Sequence, residues 1–262
     1  MDTFTIGSSQ IISFFLIFFR VGAILLTSPF FGSMNIPVRV RVLLSFAIGI
    51  VITSAVVPYR TIDSFNVESM QNTISITISI LREIMLGIAI GFIARLTFAG
   101  IQMAGQFIGN DIGFGMINIL DTSSREVITV TAELYTVIAT LIFIITYSHH
   151  YILMAIAKSF DVIPMGVWRV SESFIDYLNK VFSGVFSTGL RLALPIMGVL
   201  FLAKMAMAII TRTMPQMNIF VIGFPVQIAV GLIGLAISLP LTIKVMRSLL
   251  IIMRDNIWFI LR

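Results

Sequence analysis

The longest uncharged stretch of the chain limits its fold more than any other feature. Residues 213–243 contain no Asp, Glu, Lys or Arg, and most of them are aliphatic or aromatic. A helix needs about 20 predominantly apolar residues to span the hydrocarbon core of a membrane. A strand of a membrane barrel would alternate polar and apolar residues, and this stretch does not. The uncharged stretch therefore predicts a helical segment that is inserted in a membrane.

Similar apolar runs recur along the chain, at residues 11–31, 42–58, 84–101, 134–157 and 181–203. The composition agrees, because 58% of the residues are hydrophobic and only 11% are charged, whereas a soluble domain carries about 25% charged residues. This balance excludes an ordinary soluble enzyme and a disordered chain, and the absence of cysteine excludes a disulfide scaffold. We predict an all-α membrane protein with about six hydrophobic helical segments, in which residues 1–262 form one integral-membrane domain.

The distribution of charge bears on partners and on topology. The net charge is +5, but the basic residues are scattered singly, without the stripe that follows a nucleic-acid backbone. We therefore expect membrane lipid and no nucleic acid as a partner. The basic tail at residues 244–262 is expected in the cytoplasm. The loop charges put the N-terminus on the opposite side, which six complete crossings cannot do, so a non-canonical topology is predicted.

Arg20 is a charge within an otherwise apolar run. A charge at the centre of a membrane helix costs about 2.5–3.5 kcal/mol on insertion scales, and such a residue normally faces protein or water. We expect a structural ion pair between Arg20 and a carboxylate on another helix, with Glu83 and Glu133 as the candidates. The alternative is a transport role, in which Arg20, Arg95 and Arg191 line a polar path.

Glycine residues define a second special region, residues 106–121. Pairs of glycine four residues apart, such as Gly105 and Gly109, allow helix backbones to approach closely. Glycine also lowers helix propensity by about 1 kcal/mol relative to alanine, and the region mixes polar with apolar side chains. Irregular backbone of this kind is expected where it lines a cavity or is buried in protein. The alternative is a re-entrant packing loop without a gating role. The candidate residues are Gln106, Phe107, Ile108, Gly109, Asn110, Ile112, Gly113, Phe114, Gly115, Met116, Ile117 and Asp121.

Proline marks the uncharged stretch at residues 213–243. Pro215, Pro225 and Pro240 each lack the N–H that a helix interior uses. The triplet Gly223-Phe224-Pro225 therefore predicts a kink or the corner of a helical hairpin, and the whole chain is expected to form kinked helical hairpins.

The sequence offers no arrangement typical of a catalytic, cofactor or metal site. His149 and His150 are the only two histidines, and adjacent residues on a helix point about 100° apart, so one ion could not easily bind both. The motifs of serine hydrolases, P-loop proteins and dinucleotide-binding folds are not found. We expect a protein that is not an enzyme and that needs no cofactor.

Several motifs resemble one known family over nearly the whole chain. They are Ile36-Pro37-Val38-Arg39-Val40-Arg41, Gln102-Met103-Ala104-Gly105-Gln106, Pro164-Met165-Gly166, and the pattern PQ-x-NIF-x-x-GFP at residues 215–225. Together they resemble the FliR/SctT export-gate family of type III secretion, and the last is closer to the flagellar branch. One departure is Asp121-Thr122, where the family commonly has Asp-Pro.

The resemblance implies a fold, a place and partners that composition alone does not. Members of this family assemble with FliP and FliQ into a helical export gate in the bacterial inner membrane, at the flagellar basal body. FlhB wraps the cytoplasmic entrance, FlhA lies below, and unfolded flagellar subunits pass through the pore. The resemblance further implies a non-enzymatic channel subunit in which residues 106–121 form a plug that helps close the pore. The alternative function is a secondary transporter for a small solute or ion.

Overall fold

The computed structural model describes residues 8–33, 36–56, 73–115, 128–216 and 219–260. Within these ranges the regular structure is helix, with no strand. The seven described helices are α1 (Ser8–Thr27), α2 (Val38–Val56), α3 (Thr73–Ile112), α4 (Val130–Ile145), α5 (Ser148–Val162), α6 (Glu172–Thr213) and α7 (Ile219–Ile260).

Four of these helices, α1, α3, α6 and α7, are long and apolar enough to cross a membrane. The number rises to five if α4 and α5 together form one bent span. Such a set of helices confirms the predicted class, an all-α membrane protein. Helix α2, which begins with Val38 followed by Arg39, is not among the candidate spans of the described residues.

The apolar run at residues 134–157 is two helices and not one. Helix α4 ends at Ile145, and α5 begins at Ser148. Between them Tyr147 has a φ of 54°, in the left-handed region. Thr146 supports the end of α4, because its hydroxyl donates a 2.8 Å hydrogen bond to the carbonyl of Ile142. The sequence pattern did not reveal this break because neither proline nor glycine marks it.

Replacing Tyr147 by asparagine is expected to stabilise the protein by about 1 kcal/mol. A bulky residue at positive φ is strained, whereas asparagine adopts the left-handed region more easily. Little packing is lost, because Tyr147 is 67% exposed. Thermal unfolding in detergent measures the effect. Tyr147→Phe retains the strain and serves as the control, and an equal melting temperature for both variants would contradict the prediction.

Helix α7 continues through Gly223-Phe224-Pro225, so the predicted hairpin corner is wrong. The helix also includes Pro240, just as α6 includes Pro195. Each proline removes one backbone hydrogen bond. Helices in a membrane tolerate this loss because neighbouring groups satisfy the freed carbonyl and because an irregular chain in lipid would expose many more polar groups.

The chain divides into two compact units. Unit 1 contains Met1–Arg95, Tyr147–Asn179 and Met253–Arg262, and unit 2 contains Leu96–Thr146 and Lys180–Ile252. Helices α3, α6 and α7 each contribute residues to both units.

Within unit 1, helices α1, α2 and α3 pack through aromatic rings and glycines. Phe14 and Phe46 lie edge to face with centroids 5.3 Å apart. A Cβ on Gly87 would lie 2.7 Å from the carbonyl oxygen of Arg20, and one on Gly91 would lie 2.8 Å from that of Ile24. These distances require glycine, since real Cβ atoms do not approach so closely. The close approach brings α3 against the part of α1 that carries Arg20.

Candidate functional site

Residues 106–112 of the glycine-rich region continue helix α3, which ends at Ile112. The expectation of irregular backbone is therefore wrong for Gln106, Phe107, Ile108, Gly109, Asn110 and Ile112. Met116, Ile117 and Asp121 lie outside the described residues. The described part of the site thus consists of the end of α3 and the turn that follows it, with Gly113, Phe114 and Gly115.

Glycine keeps this part of α3 helical through packing in unit 2. A Cβ on Gly105 would lie 2.5 Å from the Cα of Ala132 and 2.7 Å from the carbonyl oxygen of Thr131. The Thr131 hydroxyl donates a 2.8 Å hydrogen bond to the Gly105 carbonyl. The contact between the backbones of α3 and α4 therefore offsets the low helix propensity of glycine.

Gln106 connects α3 to the beginning of α4. Its side-chain oxygen accepts hydrogen bonds from the backbone N–H of Thr129 at 3.1 Å and from the Thr129 hydroxyl at 3.2 Å. Thr129 is in turn the N-cap of α4, because its hydroxyl accepts a hydrogen bond from the N–H of Ala132. The side chain of Gln106 thus forms hydrogen bonds with the residue that caps the N-terminus of α4.

The end of α3 is a Schellman motif. Gly113 has a φ of 103°, and its N–H donates to the carbonyl of Asn110 at 3.1 Å. The N–H of Phe114 donates to the carbonyl of Gly109 at 2.9 Å. Glycine is the residue that this motif prefers in the left-handed position after the helix. Gly113 therefore ends the helix, whereas Gly105 and Gly109 allow it to pack.

The parts of α6 and α7 that belong to unit 2 also contact the end of α3. Lys204 forms an ion pair with Asp111, and the side-chain amide of Gln227 donates a hydrogen bond to the Asp111 carbonyl. Ile112 is fully buried, and a Cβ on Gly231 would lie 2.5 Å from its side chain. Sequence reasoning did not assign Lys204 or Gln227 to this site, because nothing in their local pattern indicates a partner so far along the chain.

The apolar candidates differ in their surroundings. Ile108 is fully buried, and the rings of Phe107 and Phe186 lie edge to face with centroids 5.9 Å apart. Asn110 is exposed and Phe114 is partly exposed. The described site is thus an anchored helix end whose last turn presents polar and aromatic groups.

In unit 1, Arg20 and Glu83 form a buried ion pair. Both side chains are almost fully buried, and the Nε and Nη2 atoms of Arg20 donate to the two carboxylate oxygens of Glu83. The Nη1 atom donates to the carbonyls of Ser159 at 3.0 Å and Ile163 at 3.1 Å. The N–H of Gly166 donates to Glu83 at 2.6 Å. The pair therefore joins α1, α3, α5 and the turn after α5.

Glu133 is not a buried charge, so this expectation is wrong. It lies in the first turn of α4 and is exposed. A carboxylate there interacts favourably with the positive end of the helix dipole and needs no basic partner.

Arg95 and Arg191 are also exposed. Among the described residues, no group of three or more His, Cys, Asp or Glu side chains could hold a metal ion.

Comparison with known proteins decides the family. A sequence profile described as "Bacterial export proteins, family 1" matches residues 11–252. The chain belongs to this family. Three relatives of this export-protein chain are each named "Flagellar biosynthetic protein FliR". Those of Bacillus subtilis (strain 168) and Aquifex aeolicus (strain VF5) are 29% identical over 90% and 92% of the chain, and 89% and 90% of their own lengths. That of Escherichia coli (strain K12) is 29% identical over 85% of the chain and 82% of its own length.

Proposed function

We propose that this chain is a non-enzymatic channel subunit of the flagellar type III protein export gate. In this proposal it lies in the bacterial inner membrane at the flagellar basal body, with its basic tail, residues 244–262, in the cytoplasm. It assembles with FliP and FliQ, contacts FlhB and FlhA, and helps to form and close the pore for unfolded flagellar subunits. Membership of the export-protein family and relatives named for flagellar biosynthesis support the proposal.

The observation that carries the proposal is the length of the apolar helices. Helix α3 has 40 residues, and α6 and α7 have 42 residues each. At 1.5 Å per residue each is about 60 Å long, whereas the hydrocarbon core of a bilayer is about 30 Å thick. A bilayer therefore cannot contain these helices over their whole length, and in this proposal neighbouring protein subunits cover apolar surface that lies outside it.

The exposure of α6 and α7 supports the same conclusion. Only 17% of the most apolar stretch of each is buried within the chain. Monomeric soluble proteins rarely expose contiguous apolar surface on this scale, and it marks contact with protein or membrane. The exposed large side chains include Phe182, Phe186, Phe201, Leu202 and Ile209 on α6, and Val221, Leu232, Ile233, Ile237 and Leu241 on α7.

Within this gate we assign residues 106–121 to the plug. Its helical beginning is anchored by Gln106 and by the packing of Gly109 on Thr129 and Thr131. The chain leaves the helix at Gly113 and continues through Phe114 and Gly115. Apolar side chains suit a seal against ions, because a hydrophobic constriction excludes water.

Deleting residues 116–120 is expected to increase ion leakage through the assembled gate. The deletion begins after the Schellman motif, so the described contacts of α3 are retained while the proposed seal is shortened. Conductance of membranes that contain the assembled gate measures the leak. Co-purification with FliP and FliQ is the control for assembly, and unchanged conductance of a correctly assembled gate would contradict the plug assignment.

The burial of Arg20 argues against the transporter alternative. Its guanidinium group is fully buried and donates to Glu83, Ser159 and Ile163, so it does not face an open polar path. Uptake of a solute by the purified chain alone in liposomes would restore this alternative.

A further inference from the structure

We propose that the end of α7 binds a phospholipid whose headgroup carries both a phosphate and an ammonium group, as in phosphatidylethanolamine. The site is a cavity of about 400 Å³ that is lined by Arg254, Asp255, Trp258 and Phe259. Ligand pockets have volumes of about 300–1,000 Å³. All four residues lie in the last turns of α7 and belong to unit 1. The site depends only on the membrane class of the fold, and it adds a ligand that the export function does not require.

Two opposite charges border the cavity. The Nε and Nη2 atoms of Arg254 each lie 3.0 Å from the Oδ1 atom of Asp255. The two side chains are 36% and 60% exposed, so a ligand can reach both. A guanidinium group has further N–H donors for a phosphate, and a carboxylate accepts hydrogen bonds from an ammonium group. Because the pair has no net charge, it complements a headgroup with both charges better than one that is only anionic.

An aromatic ring supports the cation of the site. The guanidinium carbon of Arg254 lies 5.5 Å from the centroid of the Tyr151 ring on α5, within the distance of about 6 Å for a cation–π contact. Such support restricts the long arginine side chain before a ligand binds, which lowers the entropic cost of binding. The phosphate partner is therefore partly preorganised.

The rings of Trp258 and Phe259 give the cavity an apolar side. Phe259 is exposed and Trp258 is partly exposed. A tryptophan side chain combines a large apolar ring with one N–H donor, and this combination suits the glycerol region of a lipid, where ester carbonyls meet acyl chains. A small soluble anion would contact Arg254 and leave both rings uncovered. The cavity therefore fits a lipid better than free phosphate.

The surroundings of the cavity are typical of a membrane–water interface, where tryptophan and tyrosine are enriched. Both tryptophans of the chain, Trp168 and Trp258, belong to unit 1. The rings of Trp168 and Phe174 lie edge to face with centroids 5.4 Å apart. Tyr177, one turn further along α6, stacks on Phe259 with centroids 4.2 Å apart. These five residues are called the aromatic cluster below.

The connection between α5 and α6 supports the same level in the membrane. Residues 163–171 have irregular backbone, which does not occur against lipid in the hydrocarbon core because its polar groups would lack partners. Val167 and Val170 of this connection are exposed, which is unfavourable in bulk water. The headgroup region satisfies both requirements, since it offers hydrogen-bond partners to the backbone and apolar surface to the valines.

Tryptophan fluorescence of the full chain in phosphatidylcholine vesicles tests the site. Trp168→Phe leaves Trp258 as the one tryptophan. Phosphatidylethanolamine with a nitroxide near the glycerol is expected to quench Trp258 with about three-fold higher apparent affinity than phosphatidylglycerol with the same label. Trp258→Phe provides the matched reporter, because the remaining Trp168 is in the aromatic cluster but does not line the cavity. Both labelled lipids should quench Trp168 equally.

Three substitutions assign the preference to the charges of the cavity. Asp255→Asn removes the partner of the ammonium group and a repulsive charge near the phosphate, so it should weaken phosphatidylethanolamine, strengthen phosphatidylglycerol and abolish the preference. Arg254→Gln should weaken both lipids by about three-fold. Asp161→Asn is the same substitution at another exposed aspartate of unit 1 and should leave the preference unchanged.

Four results would each overturn the proposal. Equal quenching of Trp258 by the two labelled lipids would show ordinary lipid contact without a headgroup site. A preference that survives Asp255→Asn would show that the carboxylate does not bind the ammonium group. Displacement by an equal concentration of glycerophosphoethanolamine, which has no acyl chains, would identify a soluble ligand instead of a lipid. Absence of quenching at both tryptophans would place the aromatic cluster away from the membrane.

Discussion

Replacing Glu83 by alanine is expected to destabilise the protein by about 3–5 kcal/mol, the cost of leaving one partner of a buried ion pair uncompensated. Arg20 is fully buried and both oxygens of Glu83 accept hydrogen bonds from its guanidinium group. Glu83 also accepts a hydrogen bond from the backbone N–H of Gly166. The substitution therefore leaves a buried cation and a backbone donor without their acceptor.

Thermal unfolding of the purified protein, together with its level in the membrane, measures this effect. The double variant Arg20→Met with Glu83→Leu should recover most of the lost stability, because it removes the charge instead of stranding it. Asp161→Ala breaks the exposed Lys158–Asp161 pair at 3.9 Å and should cost less than about 1 kcal/mol. Equal costs for Glu83→Ala and Asp161→Ala would contradict the assignment of Arg20 and Glu83 as a buried structural pair.

Replacing Gly105 by alanine is expected to destabilise the protein by about 2–3 kcal/mol, although alanine is the better helix former. The added methyl group would lie 2.5 Å from the Cα of Ala132 and 2.7 Å from the Thr131 carbonyl oxygen. Both neighbours are backbone atoms, so α3 and α4 must separate to admit it. The cost of this overpacking exceeds the gain in helix propensity of about 1 kcal/mol.

Gly198→Ala provides the matched control and should have the opposite sign. Gly198 is an exposed glycine within α6, and a Cβ there would meet no atom within 4 Å. It should stabilise the isolated chain by about 0.5–1 kcal/mol through helix propensity alone. Circular dichroism during thermal unfolding compares the two variants. A stabilising Gly105→Ala would show that the close approach of α3 and α4 is not required.

The class of the protein was predictable from the sequence because it depends on local properties. Each of the long apolar runs contains a described helix or part of one, since a chain in lipid must satisfy its own backbone. The boundaries were less predictable. The break at Tyr147 has no proline or glycine, and the helix through Gly223-Phe224-Pro225 has both. Contacts with neighbouring elements, which local sequence does not contain, determine such positions.

The glycines of the candidate site also show that local sequence does not determine backbone conformation by itself. The three glycines Gly105, Gly109 and Gly113 have the same intrinsic propensity, and the sequence predicted irregular backbone for residues 106–121, which begin directly after Gly105. Two of them pack a helix on its neighbour, and only Gly113 has a positive φ. Thr129 and Thr131 determine this difference, and they belong to the beginning of the next helix. The spacing of four residues indicated the packing role, but the low helix propensity of glycine argued against it.

Long-range partners were the least predictable part. The sequence offered Glu83 and Glu133 equally as partners of Arg20, and only the packing of α1 on α3 selects Glu83. Lys204 and Asp111 are 93 residues apart, and their pairing depends on how α3 and α6 meet in unit 2. Such pairs become predictable only when the arrangement of the helices is known.

Unit 1 combines segments from early and late parts of the chain, so its packing can be completed only late in synthesis. Its last part, Met253–Arg262, belongs with residues from the beginning and the middle of the chain. Met253 and Ile257 are buried there, and the ring of Phe259 stacks on Tyr177 at 4.2 Å. At about 5–20 residues per second, translation reaches these residues roughly 8–30 seconds after Arg95. The first helices must therefore wait, inserted but incomplete, until residues 253–262 have left the ribosome.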